Sequence, residues 1–598
     1  MFPSVALYLA EICAQQGVSH AILSPGSRVA PLAVALARHT HIQTYTFSDE
    51  RTAGFVGLGI AQAHLHAYLR GERERLAPVL LACTSGTASY NYAPAVAEAF
   101  YQEIPLLILT ADRPPEWIDQ QDGQTLRQNN LFAPHVKASF TLPTDTANPD
   151  VLWHAQRIIN EAINLAASPP FAPVHLNIPF REPFYPTENE VLKYPKPVKT
   201  ITRLAYEPQL SKTVWNDLIE QWERAERKLI VCGQMPWQPK LTKMLGLVWQ
   251  DYKVPIVADV IANLHGFEKR ISQPDLLLLG AGEELKDDLQ PDLLITFGQS
   301  VLSKHLKNFL RKYPARKHWH IQEAGLPADT FQSLTHHIPV SPIYFFGQLY
   351  SDLDFRNLLE IDDEGEENDY YALWQARQQK VVRYLHKTIP NASLKEREVS
   401  PEPAEYVYEM QAVQEIMSKI PPKTVLQLAN SMPVRYANYA LNVHSTVEIR
   451  ANRGTSGIDG CNSTTIGNAL AEMERLTVLL TGDVAFFYDR NALWHNYTLP
   501  NVRIILFNNG GGNIFRLIDG PSRLPELEEY FETHQKLTAQ RTAEDAGFQY
   551  LQARNETALQ VHLQTFFEAS EAPKLLEVFT DKRLNAEVWK NFKEGLKE

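Results

Sequence analysis

At 598 residues the chain is too long for one hydrophobic core, and about three domains of roughly 200 residues each are expected. Its hydrophobic share of 44% and charged share of 21% are ordinary for a globular protein, and no run reaches the ~18 apolar residues of a membrane span. A net charge of −12 with no basic stripe excludes a nucleic-acid binder. Cys13, Cys83, Cys232 and Cys461 lie far apart with no C-x-x-C spacing, which predicts free thiols, a reducing compartment and no zinc site. No basic segment precedes the first apolar stretch, which Glu11 interrupts, so a signal peptide is not expected and the reading is cytoplasmic.

The spacing predicts a helix over Val5–Gln16, then a strand Ser19–Leu23 running into Ser24-Pro25-Gly26-Ser27-Arg28 and a helix from Pro31. A strand, a glycine loop and a helix start make an anion-binding arrangement, to which Ser27 and Arg28 add donors. Gln43–Phe47 follows, and Ser48-Asp49-Glu50-Arg51 opens a helix of small residues, with Asp49 as its cap. Ala77–Cys83 leads into Thr84-Ser85-Gly86-Thr87-Ala88, and Ile104–Thr110 into Ala111-Asp112-Arg113-Pro114-Pro115-Glu116. Gln124 and Gln128 lie in the loop beyond, and Val174–Ile178 closes the set. This alternation predicts a doubly wound parallel sheet over 1–190.

Pro183–Pro208 reads as a linker. A second α/β pattern over 205–390 has strands at Lys228–Cys232, Pro255–Asp259, Leu293–Phe297 and Trp319–Gln322, with Lys304 and His305 beyond the third. It has no G-x-G-x-x-G fingerprint. His318, His320, His336 and His337 read as packing and surface residues, Asp362–Asp369 as an acidic solvated loop and Asn391–Glu405 as a second linker.

Within 400–598, Thr424–Leu428 ends in Ala429-Asn430-Ser431 with Arg435 one helical turn on, and Val447–Arg450 leads into Asn452-Arg453-Gly454-Thr455-Ser456-Gly457-Ile458-Asp459-Gly460. Leu476–Leu480 ends at Gly482-Asp483, Val502–Phe507 ends at Asn508-Asn509-Gly510-Gly511-Gly512, and Lys574–Thr580 is the last strand. An Asp and an Asn on neighbouring strand ends offer hard oxygens, and the glycines admit a backbone carbonyl, so the stretch reads as a site for a metal-bound diphosphate. The order of motifs parallels that of the first 190 residues, which predicts two related domains flanking a third.

The ordered pair Gly-Asp…Asn-Asn resembles the signature of thiamine diphosphate (ThDP) enzymes, with Val484 where that signature usually has Gly. Together with SPGSR, DER, TSGTA, LTADRPPE and NRGTSGIDG, it is similar to the 2-succinyl-5-enolpyruvyl-6-hydroxy-3-cyclohexene-1-carboxylate synthase family of menaquinone biosynthesis. The resemblance implies three α/β domains (pyrimidine-binding, central and diphosphate-binding). It also implies a homodimer or homotetramer with ThDP at the subunit interface, and Mg²⁺, with Mn²⁺ as an alternative. It further implies decarboxylation of 2-oxoglutarate and addition of the succinyl carbanion equivalent to isochorismate. By the same resemblance, Glu50 meets the aminopyrimidine ring, and Asn430, Ile458, Gly482, Asn509, Gly511, Ile514 and Phe515 contact the cofactor. Asp483, Asn509 and the Gly511 carbonyl ligate the metal. Ser431 and Arg435 hold the distal carboxylate of 2-oxoglutarate, and Arg453 contacts the same region. Ser27, Arg28, Arg113, Gln124 and Lys304 hold isochorismate; Gln124 positions a water or proton. His305 stands where some relatives place a second cation. The competing readings are another ThDP-dependent 2-oxoacid decarboxylase, an acetohydroxyacid synthase-like enzyme, or a cofactor-free protein of the same fold. Four arginines and the intact Glu50, Asp483 and Asn509 weigh against them.

Overall fold

The computed structural model describes residues 2–188, 190–357, 369–388 and 407–597. Residues 362–368 of the acidic stretch and all of the second linker lie outside the described residues.

Three parallel sheets follow one another along the chain. The first contains β1 (His20–Leu23), β2 (Gln43–Thr46), β3 (Val79–Cys83), β4 (Leu106–Asp112), β5 (Ser139–Thr141) and β6 (Val174–Pro179), in the order β2-β1-β3-β4-β6-β5. The second contains β7 (Lys228–Cys232), β8 (Ile256–Ala258), β9 (Leu293–Phe297), β10 (Lys317–Ile321) and β11 (His336–Ile338), in the order β11-β10-β9-β7-β8. The third contains β12 (Val425–Leu428), β13 (Glu448–Ala451), β14 (Thr477–Gly482), β15 (Val502–Asn508), β16 (Gln549–Ala553) and β17 (Lys574–Phe579), in the order β13-β12-β14-β15-β17-β16. The first and third sheets therefore have the same strand order, the relation expected from their parallel motifs. The inner strands β3, β4, β6 and β15 are buried along their whole length, as parallel strands covered on both faces must be.

The first and third units meet at two helices, Glu50–Leu69 and Cys461–Ala471, each of which follows the second strand of its sheet. Their backbones touch at glycine: a Cβ on Gly59 would lie 2.2 Å from the Thr464 carbonyl oxygen, and one on Gly467 would lie 2.1 Å from that of Val56. Asp49 caps the first helix, its Oδ1 accepting from the Arg51 and Thr52 amides. The central sheet docks on the edge strand β13. There Asn263 Nδ2 donates to the Ile449 carbonyl (2.8 Å), and Gln234 Nε2 to that of Ala451 (2.9 Å).

The stretch 183–208 carries no helix or strand among its described residues, but it is a strap rather than a free linker. Tyr194 Oη donates to the Ala35 carbonyl at 2.6 Å, Asn160 Nδ2 to that of Lys199 at 2.9 Å, and Val198 is buried. His318 and His320 share Thr296 Oγ1 at 2.8 and 2.9 Å, while His336 and His337 belong to the edge strand β11. Cys13, Cys83, Cys232 and Cys461 are free and buried. Among the described residues, no helix is long and apolar enough to cross a membrane.

Candidate active site

Parallel pairing of β14 with β15 sets Gly482 opposite Phe507, so Asp483 and Asn509 leave adjacent strand ends. Gly482 closes β14, and Asp483 opens a single short helix, Asp483–Tyr488. Asp483 is buried and accepts three N–H bonds, each of 2.8 Å, from the Val484 amide, the Gly511 amide and Gln535 Nε2. Burial pushes its carboxyl up to about 6 against those bonds, and among the described residues no cation pairs with it. Asn509 Oδ1 is buried without a partner among the described residues. A buried carboxylate without a cation partner, beside an orphaned carbonyl oxygen, is a donor set suited to a hard divalent cation, so the residues fit Mg²⁺. The Gly511 carbonyl accepts from the Asn513 amide at 3.0 Å and keeps a second lone pair. Gly511 has a φ of +152°, and a Cβ there would lie 2.5 Å from the Glu532 carbonyl oxygen, so the loop is built for glycine. Ile514 and Phe515 open the next short helix, and Phe515 packs against Phe531.

The loops after β12 and β13 are tied together by Asn430. Its Nδ2 donates to the Asn452 and Gly457 carbonyls at 2.7 and 2.6 Å, and its Oδ1 accepts from Arg453 Nη1 at 2.9 Å. The Asn430 amide is thus consumed in holding Arg453 and the half-buried Ile458 in place. Ser431, at a φ of +74°, accepts from Arg435 Nη1 through its carbonyl. Burial lowers the pKa of both Arg435 and Arg453, and the Arg435 charge lowers that of Arg453 further. Neither forms a salt bridge among the described residues. Glu98, from the first unit, clamps the same loop: its carboxylate accepts from the Gly454 and Thr455 amides (2.8 and 2.7 Å) and from Thr455 Oγ1 (2.6 Å).

The central unit brings Lys304 to the first position of the helix Lys304–Lys312, with an exposed side chain, and Ser300 Oγ donates to the Arg453 carbonyl at 3.4 Å. Burial lowers the His305 pKa against the pull of Asp275, whose Oδ1 accepts from the His305 amide at 3.0 Å.

On the first sheet, Ser27 and Gln124 are exposed. Arg28 is buried, donating to the Phe180 carbonyl at 3.0 Å and lying 4.5 Å over the Phe184 ring. Burial and then the Arg113 charge lower its pKa. Arg113 is already engaged, in a 2.8 Å salt bridge to Asp122 and a 2.6 Å bond to the Gly123 carbonyl, so a substrate carboxylate would have to share or displace Asp122. Gln128 binds the TSGTA loop to the ADRPPE loop: its Oε1 accepts from the Gly86 amide (3.0 Å) and its Nε2 donates to the Ala111 carbonyl (3.1 Å).

Glu50 is half-buried and accepts one bond, from Asn91 Nδ2 at 3.3 Å. Among the described residues, no hydrogen bond or salt bridge joins it to Asp483, Asn509 or Arg453. Its neighbours turn elsewhere: Arg51 donates to the Tyr488 carbonyl, and Asn491 to Asp49. These two bonds tie the start of the helix Glu50–Leu69 to the segment that follows Asp483.

Motif reasoning did not single out Asn513, buried with neither amide atom partnered, or Gln535, Glu98 and Glu409. Asn513 lies inside the glycine-rich motif and was accessible there; the other three carry no local signal.

Residues 3–131 match the family described as thiamine pyrophosphate enzyme, N-terminal TPP binding domain. Over 594 residues the chain is 40% identical to the 2-succinyl-5-enolpyruvyl-6-hydroxy-3-cyclohexene-1-carboxylate synthase of Cytophaga hutchinsonii, covering 99% of each. It is 36% identical to the protein of the same name in Porphyromonas gingivalis (98% of this chain, 96% of that one) and to that of Flavobacterium psychrophilum (100% of each). Similarity of that extent runs through all three sheets and both halves of the site, and the chain belongs to the 2-succinyl-5-enolpyruvyl-6-hydroxy-3-cyclohexene-1-carboxylate synthase family of ThDP enzymes.

Proposed function

We propose that the protein decarboxylates 2-oxoglutarate and adds the resulting succinyl unit to isochorismate, releasing CO₂ and forming 2-succinyl-5-enolpyruvyl-6-hydroxy-3-cyclohexene-1-carboxylate in menaquinone biosynthesis. The observation that carries this reading is the pair Arg435 and Arg453, half-buried neighbours with no carboxylate bridged to either among the described residues. Two guanidinium groups only partly offset by the charges of Asp275, Glu98 and Asp259, in a chain of net charge −12, suit an anionic ligand with a carboxylate to spare. A monocarboxylic 2-oxoacid needs only one such contact.

ThDP, when bound, supplies the carbanion chemistry by which a 2-oxoacid loses CO₂ and its remaining carbon attacks an acceptor. Asp483, Asn509 and the Gly511 carbonyl would hold Mg²⁺, or Mn²⁺, against the cofactor diphosphate. Gly482, Ile458, Ile514 and Phe515 would line the cofactor, and Glu50 is the carboxyl that would meet its aminopyrimidine ring. Ser431 and Arg435 would take the distal carboxylate of 2-oxoglutarate, with Arg453 beside them. Ser27, Arg28, Arg113, Gln124 and Lys304 would take isochorismate. A homodimer or homotetramer in which two chains complete each site is the arrangement the family resemblance implies. Domains over 1–190, 205–390 and 400–598 suit the three sheets, and four free thiols suit the cytoplasm.

Supplying ThDP, Mg²⁺ and 2-oxoglutarate, with and without isochorismate, while following isochorismate loss and product mass tests the proposal. Isochorismate-dependent turnover is expected; CO₂ release without an adduct would make the protein a plain decarboxylase. Arg435→Gln removes one charge-assisted contact worth about 1.5–3 kcal/mol, so KM for 2-oxoglutarate should rise roughly 10- to 100-fold. KM for isochorismate should change far less. Equal effects on both substrates would remove Arg435 from the proposed subsite.

A further inference from the structure

Asn509 can serve as a metal ligand only through its oxygen. Its amide is nearly symmetric in shape, so something must decide which end faces Asp483. Glu409 is placed to do so. It is the first residue of the helix Glu409–Lys419 and is buried, although nearly a hundred residues separate it from the glycine loop. Its Oε1 accepts from Asn509 Nδ2 at 2.7 Å and from Thr580 Oγ1 at 2.8 Å. One Glu409 oxygen is the acceptor in both bonds, so it is the NH₂ end of Asn509 that faces it. The carboxylate is itself held in place: the Glu409 amide donates to Asn585 Oδ1 at 3.1 Å, and Val407 forms a β-bridge with Thr580. The result is an Asn509 Oδ1 that is buried and, among the described residues, without a partner, a state a folded chain avoids unless a ligand satisfies the atom.

We propose that Glu409 is a positioning residue that locks the Asn509 amide with Oδ1 toward the divalent cation and Nδ2 away from it. The inference rests on the metal site proposed above. Partners behind a first ligand that fix its orientation typically change metal affinity by about 10- to 100-fold. Without the carboxylate, the amide is free to turn its NH₂ toward the cation, where it is no ligand.

The test follows ThDP binding by tryptophan fluorescence as Mg²⁺ is titrated into metal-free protein, with thermal melts of the metal-free forms as a fold control. Glu409→Met keeps the length of the side chain without its acceptor and should raise the half-saturating Mg²⁺ about 10- to 100-fold. Glu409→Gln keeps an acceptor for Asn509 and should stay within about threefold of the parent, which separates orientation from charge. The double variant Glu409→Met, Asn509→Asp presents an oxygen whichever way the side chain turns, and should recover most of the affinity. Glu409→Ala serves if the thioether packs badly. A Glu409→Met protein that titrates like the parent overturns the proposal. So does a Glu409→Gln protein as weak as Glu409→Met, or a double variant that shows no recovery. ThDP binding by the parent that ignores Mg²⁺ altogether sinks the metal site itself rather than the role of Glu409 alone.

Discussion

Glu50→Gln is expected to lower turnover by about 10²–10⁴-fold, the usual worth of a positioned acid–base group, while leaving folding intact. The structure makes this substitution unusually clean. Asp49, not Glu50, caps the helix Glu50–Leu69, and Glu50 has one long hydrogen bond, from Asn91. Glutamine retains the shape and can still accept that bond, so neither the cap nor the packing of the helix is disturbed. The measurement is kcat for isochorismate consumption together with a thermal melt. Unchanged kcat at an unchanged melting temperature would exclude Glu50 from the chemistry. A fall in both would reveal a structural role instead.

Glu448→Ala is expected to cost about 3–5 kcal/mol of stability, the range found when one partner of a buried ion pair is removed. Glu448 lies at the start of β13, fully buried. It accepts from His66 Nδ1 (2.6 Å), Arg70 Nη1 (2.9 Å), Arg450 Nη2 (2.8 Å) and Arg475 Nη1 (3.0 Å). His66 and Arg70 come from the first unit, so truncation removes a buried acceptor shared across a domain contact, leaving Arg70 only Glu72 and Arg450 and Arg475 only Glu472 as carboxylate partners among the described residues. Burial alone would raise the Glu448 pKa; the Arg450 charge, the His66 hydrogen bond and the Arg70 charge outweigh it and hold the carboxyl well below the usual range. A depressed carboxyl contributes fully above the unfolded value of about 4.3 and loses that contribution as pH falls through the folded one. Burial also lowers the His66 pKa, so acidification below about 6.5 draws protons to the unfolded chain there too. The parent's denaturant midpoint should therefore fall with acidification, and the slope should flatten in Glu448→Gln. A midpoint unmoved at pH 7 in Glu448→Ala would show that the cluster adds nothing to stability.

The inner strands and the glycine-bearing turns were legible in the sequence because burial on both faces demands continuous apolar runs, and turns at positive φ demand particular residues. The edge strands β5, β11 and β16 escaped. Two are three residues long, and all mix buried or half-buried positions with exposed or half-exposed ones, so neither length nor pattern marks them. The stretch 183–208 read as a linker because its prolines exclude helix and sheet. Its binding to Ala35, Asn160 and Gln16 is made largely through backbone atoms, which have no residue code. The same divide runs through the site. Asp483, Asn509 and Arg453 sit in local motifs whose spacing follows strand ends. Glu98, Glu409 and Gln535 reach them from distant parts of the chain, by carboxylate or amide bonds that any polar residue in a helix or loop could make. Their roles come from the packing, not from their own neighbours in sequence.

The glycine crossing between helices Glu50–Leu69 and Cys461–Ala471 bears on motion. Where side chains separate two helices, rotamer changes let one slide over the other, and closure by shear between domains becomes cheap. Here main chain meets main chain at Gly59 and Gly467, with no side chain between to re-pack. The outer units of one chain thus behave as a single block. Sliding of one outer unit over the other at this crossing is thereby disfavoured.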